Sequence, residues 1–152
     1  MRILMATPEA NPFARSGGLA EVIASLAGAL ARLGHDVKVV MPLYRLAAEI
    51  YQVEVSPRLT YYFVGQDALF DREGLYGTEY GDFEDNAERF IFFSRAVVEM
   101  LLALELEMNV CHCQEWQTGL VPVYLRTLYR DHPQFQRLGL GVVLPQGPGI
   151  LW

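Results

Sequence analysis

The residues best suited to chemistry lie between the first apolar run and the first amphipathic stretch, where the chain reads Phe13-Ala14-Arg15-Ser16-Gly17-Gly18-Leu19-Ala20-Glu21-Val22. The first N–H groups of a helix have no intrahelical acceptor, and glycine lets a ligand approach them where a Cβ would stand in the way. Arg15 adds a permanent positive charge whose planar fork suits a phosphate oxygen. The chemistry these residues offer is the cradling of a nucleotide pyrophosphate or a sugar phosphate. A Gly-Gly pair also marks plain turns, and the stretch is neither a Walker sequence nor a G-x-G-x-x-G fingerprint. Residue types alone leave the cradle and the bare turn both open.

A second group is Cys113-Gln114-Glu115-Trp116-Gln117. Glu115 and the two glutamines can hydrogen-bond sugar hydroxyls, and Trp116 can stack on a ring. Residue type favours a blander role, with Trp116 in the core and Glu115 complementing the dipole of a following helix. Cys111 and Cys113 flank His112, but zinc wants about four ligands, and His35 and His132 stand far away in sequence. The run 108–113 therefore reads as a buried strand in which Cys is a small apolar residue, and neither metal nor cofactor is expected.

These residues need elements to hold them. Residues 2–7 form an apolar run ended by Pro8, as expected of a strand covered on both faces. Apolar residues at 19, 22, 23, 26, 30 and 33 follow helical spacing, and Gly34 ends that helix. Residues 37–41 read as a second buried strand, completing a βαβ unit. Residues 51–64 read as one or two strands, the hairpin breaking at Ser56-Pro57, and 65–85 as a long loop. A helix is expected over 86–106, with Asp85 as N-cap and residues 90, 93, 97, 100, 101 and 104 on its apolar side. The strand 108–113, a turn, a helix from about 117 to 129, and a strand at 141–144 complete the pattern. Such alternation predicts an α/β fold, a Rossmann-like three-layer domain with a mostly parallel sheet. In such sheets ligands gather at the carboxyl ends of the strands, where both candidate turns fall.

Composition narrows the partners. The 152 residues carry a net charge of −6, with only Lys38 and eleven scattered arginines as cations. A nucleic-acid surface, which needs clustered Lys and Arg, is not expected. No apolar run approaches the roughly 20 residues that span a bilayer, so no membrane association and a cytoplasmic location are expected.

Three segments together resemble one family, the glycogen and starch synthases, glucosyltransferases of GT-B architecture built from two Rossmann-like domains. Residues 1–22, with Arg15-Ser16-Gly17-Gly18-Leu19-Ala20-Glu21-Val22, are similar to the family's "K-x-G-G-L-x-D-V" signature. Leu75-Tyr76-Gly77 through Arg95 is the second segment. The third, His112-Cys113-Gln114-Glu115-Trp116-Gln117-Thr118-Gly119-Leu120 through Leu125, is similar to "H-A-H-D-W-H-T-A-L-A-P-V-Y-L". The resemblance implies transfer of glucose from ADP-glucose or UDP-glucose to an α-1,4-glucan, with retention. It implies that Arg15, Gly17 and Gly18 lie at the donor phosphates, Glu21 and Gln114 near the donor sugar, Glu115 at the transferred glucose as a catalytic residue, and Phe83 near the glucan.

Departures accompany the likeness. Arg15 replaces a lysine, Glu21 and Glu115 replace aspartates, and Gln114 and Gln117 replace histidines. Past 144 the chain reads Pro145-Gln146-Gly147-Pro148-Gly149-Ile150-Leu151-Trp152, where the family carries a "T-V-H-N-L-A-Y-Q-G" stretch. The expectation is a single N-terminal Rossmann-like domain over 1–152, with the second GT-B domain absent and glucose transfer by this chain alone very poor. The alternative is a non-catalytic glucan- or nucleotide-binding module, or a half-enzyme that complements a separate C-terminal domain. Homo-oligomer formation through exposed apolar surface or the apolar 149–152 tail is a further expectation.

Overall fold

The computed structural model describes residues 1–44 and 52–143. Its elements run β1 (Arg2–Ala6), α1 (Leu19–Arg32), β2 (Asp36–Pro42), β3 (Gln52–Ser56), β4 (Leu59–Val64), α2 (Asp67–Phe70), β5 (Gly77–Thr78), β6 (Gly81–Asp82), α3 (Asn86–Ala103), β7 (Val110–Gln114), α4 (Leu120–Arg126) and β8 (Gly139–Val143). Short 3₁₀ turns occupy Trp116–Thr118 and Pro133–Phe135.

Six strands form one sheet in the order β3-β4-β2-β1-β7-β8, parallel throughout except for the β3–β4 hairpin. β1 sits inside it, Met5 facing Val39 of β2 on one side and His112 of β7 on the other. A strand paired on both edges and covered on both faces must be apolar throughout, and Leu4, Met5 and Ala6 are wholly buried. The fold is α/β, as the alternation predicts. The expected break at Ser56-Pro57 is the β3–β4 turn.

Several boundaries move for local reasons. The helix expected over 86–106 ends at Ala103, because Glu105 takes a left-handed φ of 50° and the Leu106 N–H turns back to the Leu101 carbonyl. Phe90, Phe93, Val97 and Leu101 are buried as the period requires, but Leu104 is about half exposed. Asp85 occupies the N-cap position without capping. Its carboxylate is taken instead by Arg72, through Nη1 at 2.7 Å and Nη2 at 2.5 Å.

The helix expected over 117–129 splits into a 3₁₀ turn and α4, which ends where the Thr127 hydroxyl bonds the Val123 carbonyl. The strands expected at 108–113 and 141–144 lie at 110–114 and 139–143. Residue 144 and the 145–152 tail lie outside the described residues. The 65–85 segment is not a bare loop. Phe70 of α2 is wholly buried, and β5 pairs with β6 so closely that a Cβ on Gly77 would stand 2.3 Å from the Gly81 carbonyl oxygen.

Cys111 and Cys113 are wholly buried on one face of β7, their sulfurs 3.7 Å apart. Both serve as small apolar core residues, as read from the sequence. Among the described residues no helix is long and apolar enough to cross a membrane.

Candidate active site at the carboxyl edge of β1 and β7

β1 and β7 are neighbours in register, Ala6 facing Cys113, so the chain leaves both strands at the same edge of the sheet. The turn after β1 carries the glycine pair into α1, and the turn after β7 carries Glu115 and Trp116. Both candidate turns therefore stand at the carboxyl edge of neighbouring strands, the edge at which parallel sheets bind ligands.

The Gly17 and Gly18 N–H groups have no hydrogen-bond acceptor among the described residues. Gly18, the N-cap of α1, has φ −75° and ψ −19°, and neither glycine adopts a positive φ. A Cβ added at either position would meet nothing within 4 Å. Neither backbone conformation nor packing among the described residues calls for glycine here, in contrast to Gly77. The space over both glycines is open among the described residues.

Arg15 projects beside this opening and pairs with Glu21 at 3.2 Å, both side chains about half exposed or more. Asn11 holds the other Glu21 oxygen from 3.3 Å. So exposed an ion pair is weak, about 0–1 kcal/mol, and holds Arg15 only loosely.

Beneath the loop lies a residue that the sequence reading passed over. Glu9 is 2% exposed, and its Oε2 accepts from the Ser16 N–H at 2.8 Å, the Ser16 hydroxyl at 2.5 Å and the Tyr76 hydroxyl at 3.3 Å. Its only local signal is an acidic residue three places beyond an apolar strand. Tyr76 lay in a segment read as a loop. Burial, with Tyr44 and Glu9 nearby, pushes the Tyr76 hydroxyl well above its ordinary range, so it stays protonated and donates.

Glu115 is half-buried in the turn that follows β7. Burial raises its carboxyl above the usual range, and the charge of Glu9 raises it further. Its backbone has φ 68° and ψ 170°, a conformation nearly confined to glycine. Bonds on both sides enforce it. The Glu115 N–H donates to the Val143 carbonyl at 2.9 Å, and its own carbonyl accepts from the Thr118 N–H at 3.2 Å and the Thr118 hydroxyl at 3.1 Å. The first turn of a helix is thus not where Glu115 sits.

Trp116 is not a core residue either. It is 38% exposed and lies edge-on to Phe90, ring centroids 5.2 Å apart. The Gln114 side chain, by contrast, is buried, its amide 2.9 Å from His112 Nδ1. Burial lowers the His112 pKa and keeps that ring neutral.

Phe83 joins the same region through its N–H, which donates to the Tyr76 carbonyl at 2.9 Å. Its half-buried ring already faces two cations, the Arg72 and Arg89 guanidinium carbons being 5.2 and 5.0 Å from its centroid. The turn after β1, with Arg15, Gly17, Gly18 and Glu21, and the turn after β7, with Glu115, thus leave neighbouring strands at one edge of the sheet, and Phe83 bonds to Tyr76, whose hydroxyl reaches Glu9 beneath the first turn. A separate groove of about 590 Å³ between α1 and the β3–β4 hairpin, reaching Ala24, Arg58 and Tyr61, is lined by none of these residues.

The mostly parallel sheet with helices on its faces makes this a Rossmann-like α/β domain, and the solved structures that share it are glycosyltransferases of GT-B architecture. The chain superposes on the catalytic domain of starch synthase IV from Arabidopsis thaliana, bound to ADP and acarbose, with a TM-score of 0.76 and 25% identity, over 94% of this chain and 33% of that one. Sucrose-phosphate synthase from Thermosynechococcus elongatus shares the fold at a TM-score of 0.64 and 18% identity, over 94% of this chain and 32% of its own. A sequence model described as the starch synthase catalytic domain matches residues 2–142, and the chain belongs to that glycogen and starch synthase family. It is 41% identical to glycogen synthase 2 of Geobacter sulfurreducens, over 90% of this chain and 33% of the relative. It is 40% identical to the glycogen synthase of Syntrophotalea carbinolica, over 88% and 32%. The chain spans about a third of the length of these relatives.

Proposed function

We propose that this chain carries the donor-phosphate side of a glucosyltransferase site, in an enzyme that moves glucose from ADP-glucose or UDP-glucose to an α-1,4-glucan. The observation that carries the reading is the glycine pair. Among the described residues nothing requires glycine at 17 or 18, nothing accepts from their N–H groups, and the space above them is open. A diphosphate supplies the missing reason: acceptors for those N–H groups, a partner for Arg15, and a need for close approach. The ADP held by the Arabidopsis domain supports the same ligand class, and its acarbose supports an α-glucan acceptor.

Within this reading Glu115 faces the transferred glucose, Glu21 holds Arg15 until the donor arrives, and Trp116 and Phe83 supply aromatic surface on the glucan side. Glucosyl transfer further requires groups that close over the donor from a second domain, since stabilisation of the leaving diphosphate depends on preorganised charge around it. This chain alone is therefore expected to bind a nucleoside diphosphate weakly and to transfer glucose very poorly.

Calorimetric titration with ADP and UDP, on the wild type and on Gly17→Ala and Gly18→Ala, tests the assignment. Both variants should keep the wild-type melting temperature or exceed it slightly and lose most of the affinity. Wild-type affinity in the alanine variants would refute the cradle.

A further inference from the structure

Glu9 stands outside every role assigned above, yet it is a buried carboxylate three residues beyond the central strand, and its single oxygen Oε2 gathers three donors. We propose that Glu9 is a positioning residue: its carboxylate fixes the glycine loop through Ser16 and ties that loop to the 71–78 segment through Tyr76, so that the Gly17 and Gly18 N–H groups point together at a diphosphate. The proposal rests on the cradle reading of the preceding section.

Geometry supports each link. Glu9 is itself held, because the Thr7 hydroxyl donates to its carbonyl at 2.8 Å directly after β1. Its contacts with Ser16, 2.8 Å from N–H and 2.5 Å from hydroxyl, have the short lengths of charge-assisted bonds. Ser16 is solvent-exposed and Glu9 is buried, so the bonds reach from the core outward to the loop. With its N–H and hydroxyl both turned inward, Ser16 offers neither to a ligand. The first free donors are then those of Gly17 and Gly18, which is where the close approach is open. The third donor, Tyr76, is 67 residues away in sequence, so one carboxylate joins the glycine loop to the 71–78 segment.

Replacement of Glu9 by glutamine keeps the shape and removes the charge from all three bonds. The test compares wild type, Glu9→Gln and Ser16→Ala in the 152-residue chain. Two quantities are read: hydrogen exchange of the Ser16 amide without ligand, and affinity for ADP and inorganic pyrophosphate. In Glu9→Gln the Ser16 amide should exchange roughly tenfold faster, while α3 amides are unchanged, and both affinities should fall by a similar factor. Ser16→Ala loses one of the bonds and should fall between the two. It also serves as the readout should Glu9→Gln not fold.

In the double variant the losses should be less than additive, because both changes act on one link; a purely structural role would not produce that coupling. Unchanged Ser16 exchange in Glu9→Gln overturns the proposal, as does full affinity with a loosened loop. Absence of diphosphate binding by the wild type overturns the cradle reading itself, and is recognised without any variant.

Discussion

Replacement of Glu115 by glycine separates backbone strain from side-chain chemistry at a single residue. With φ 68° and ψ 170°, Glu115 occupies a region that costs a side-chain-bearing residue about 1–3 kcal/mol and glycine almost nothing. Glycine gives back about 0.4–1 kcal/mol through the greater freedom of the unfolded chain. The backbone bonds to Val143 and Thr118 do not involve the side chain and persist, the Thr118 contacts being made to the Glu115 carbonyl. The net expectation for Glu115→Gly is a gain of about 0.5–2 kcal/mol, which raises the melting temperature by roughly 1–8 °C in a domain of this size.

Glu115→Gln is the control, since it keeps the strain and removes only the charge. The Glu115 carboxyl is raised in the folded state, so its contribution to stability is fully present below the unfolded value of about 4.3 and is lost as pH rises through the folded value. Glu115→Gln should therefore match wild type in acid and exceed it slightly at neutral pH, whereas Glu115→Gly should exceed wild type at both. Urea and thermal denaturation at the two pH values supply the comparison. A Glu115→Gly protein no more stable than wild type, or one matched by Glu115→Gln at neutral pH, would refute the strain argument.

Further expectations concern the region behind Phe83. The hydrogen bond from Arg72 holds the Asp85 carboxyl below its ordinary range, so its stabilising contribution is present above the unfolded value of about 3.9 and lost as pH falls through the folded value. Arg72→Met should return the Asp85 titration, followed by NMR, to the ordinary range and remove that part of the acid dependence. Arg89 is wholly buried, with Nε donating to the Leu69 carbonyl and Nη1 to Asn86 Oδ1, each at 2.7 Å. Arg89→Ala leaves both acceptors without a donor and should cost about 2–6 kcal/mol in denaturant unfolding, at about 1–3 each; a loss below 1 kcal/mol, read against that ~2 minimum, would show that water replaces the guanidinium. Arg15→Gln should leave stability within about 0.5 kcal/mol, because its ion pair with Glu21 is exposed, and should weaken ADP binding by titration.

Much of the fold was legible in local pattern. The period of apolar residues and the stops at Pro8, Gly34 and Pro42 marked β1, α1 and β2 to within a residue or two, because burial on both faces forces an apolar strand and Gly34, at φ 89°, supplies the left-handed turn after a helix. Asp85 stands at the N-cap position as the pattern predicts, but its side chain does not cap, for an equally physical reason. A carboxylate at an N-cap position has two suitors, and Arg72 was invisible as one of them because the turn that presents it is tertiary. Trp116 went to the core on residue type, whereas packing against Phe90 consumes only part of that large ring.

At the candidate site the sequence by itself determined which groups were available: Arg15, the glycine pair, Glu21 and Glu115, each placed beside a strand end by the alternation of elements. Only the tertiary structure decided that β1 and β7 are neighbours, that Glu9 holds Ser16 and Tyr76 together, that Gln114 is engaged with His112, and that Glu115 is strained. The physical reason is distance along the chain. Helix periods and turn residues act within a few positions and leave marks in sequence, but a buried carboxylate that collects donors from residues 16 and 76 leaves none until the sheet has assembled around it.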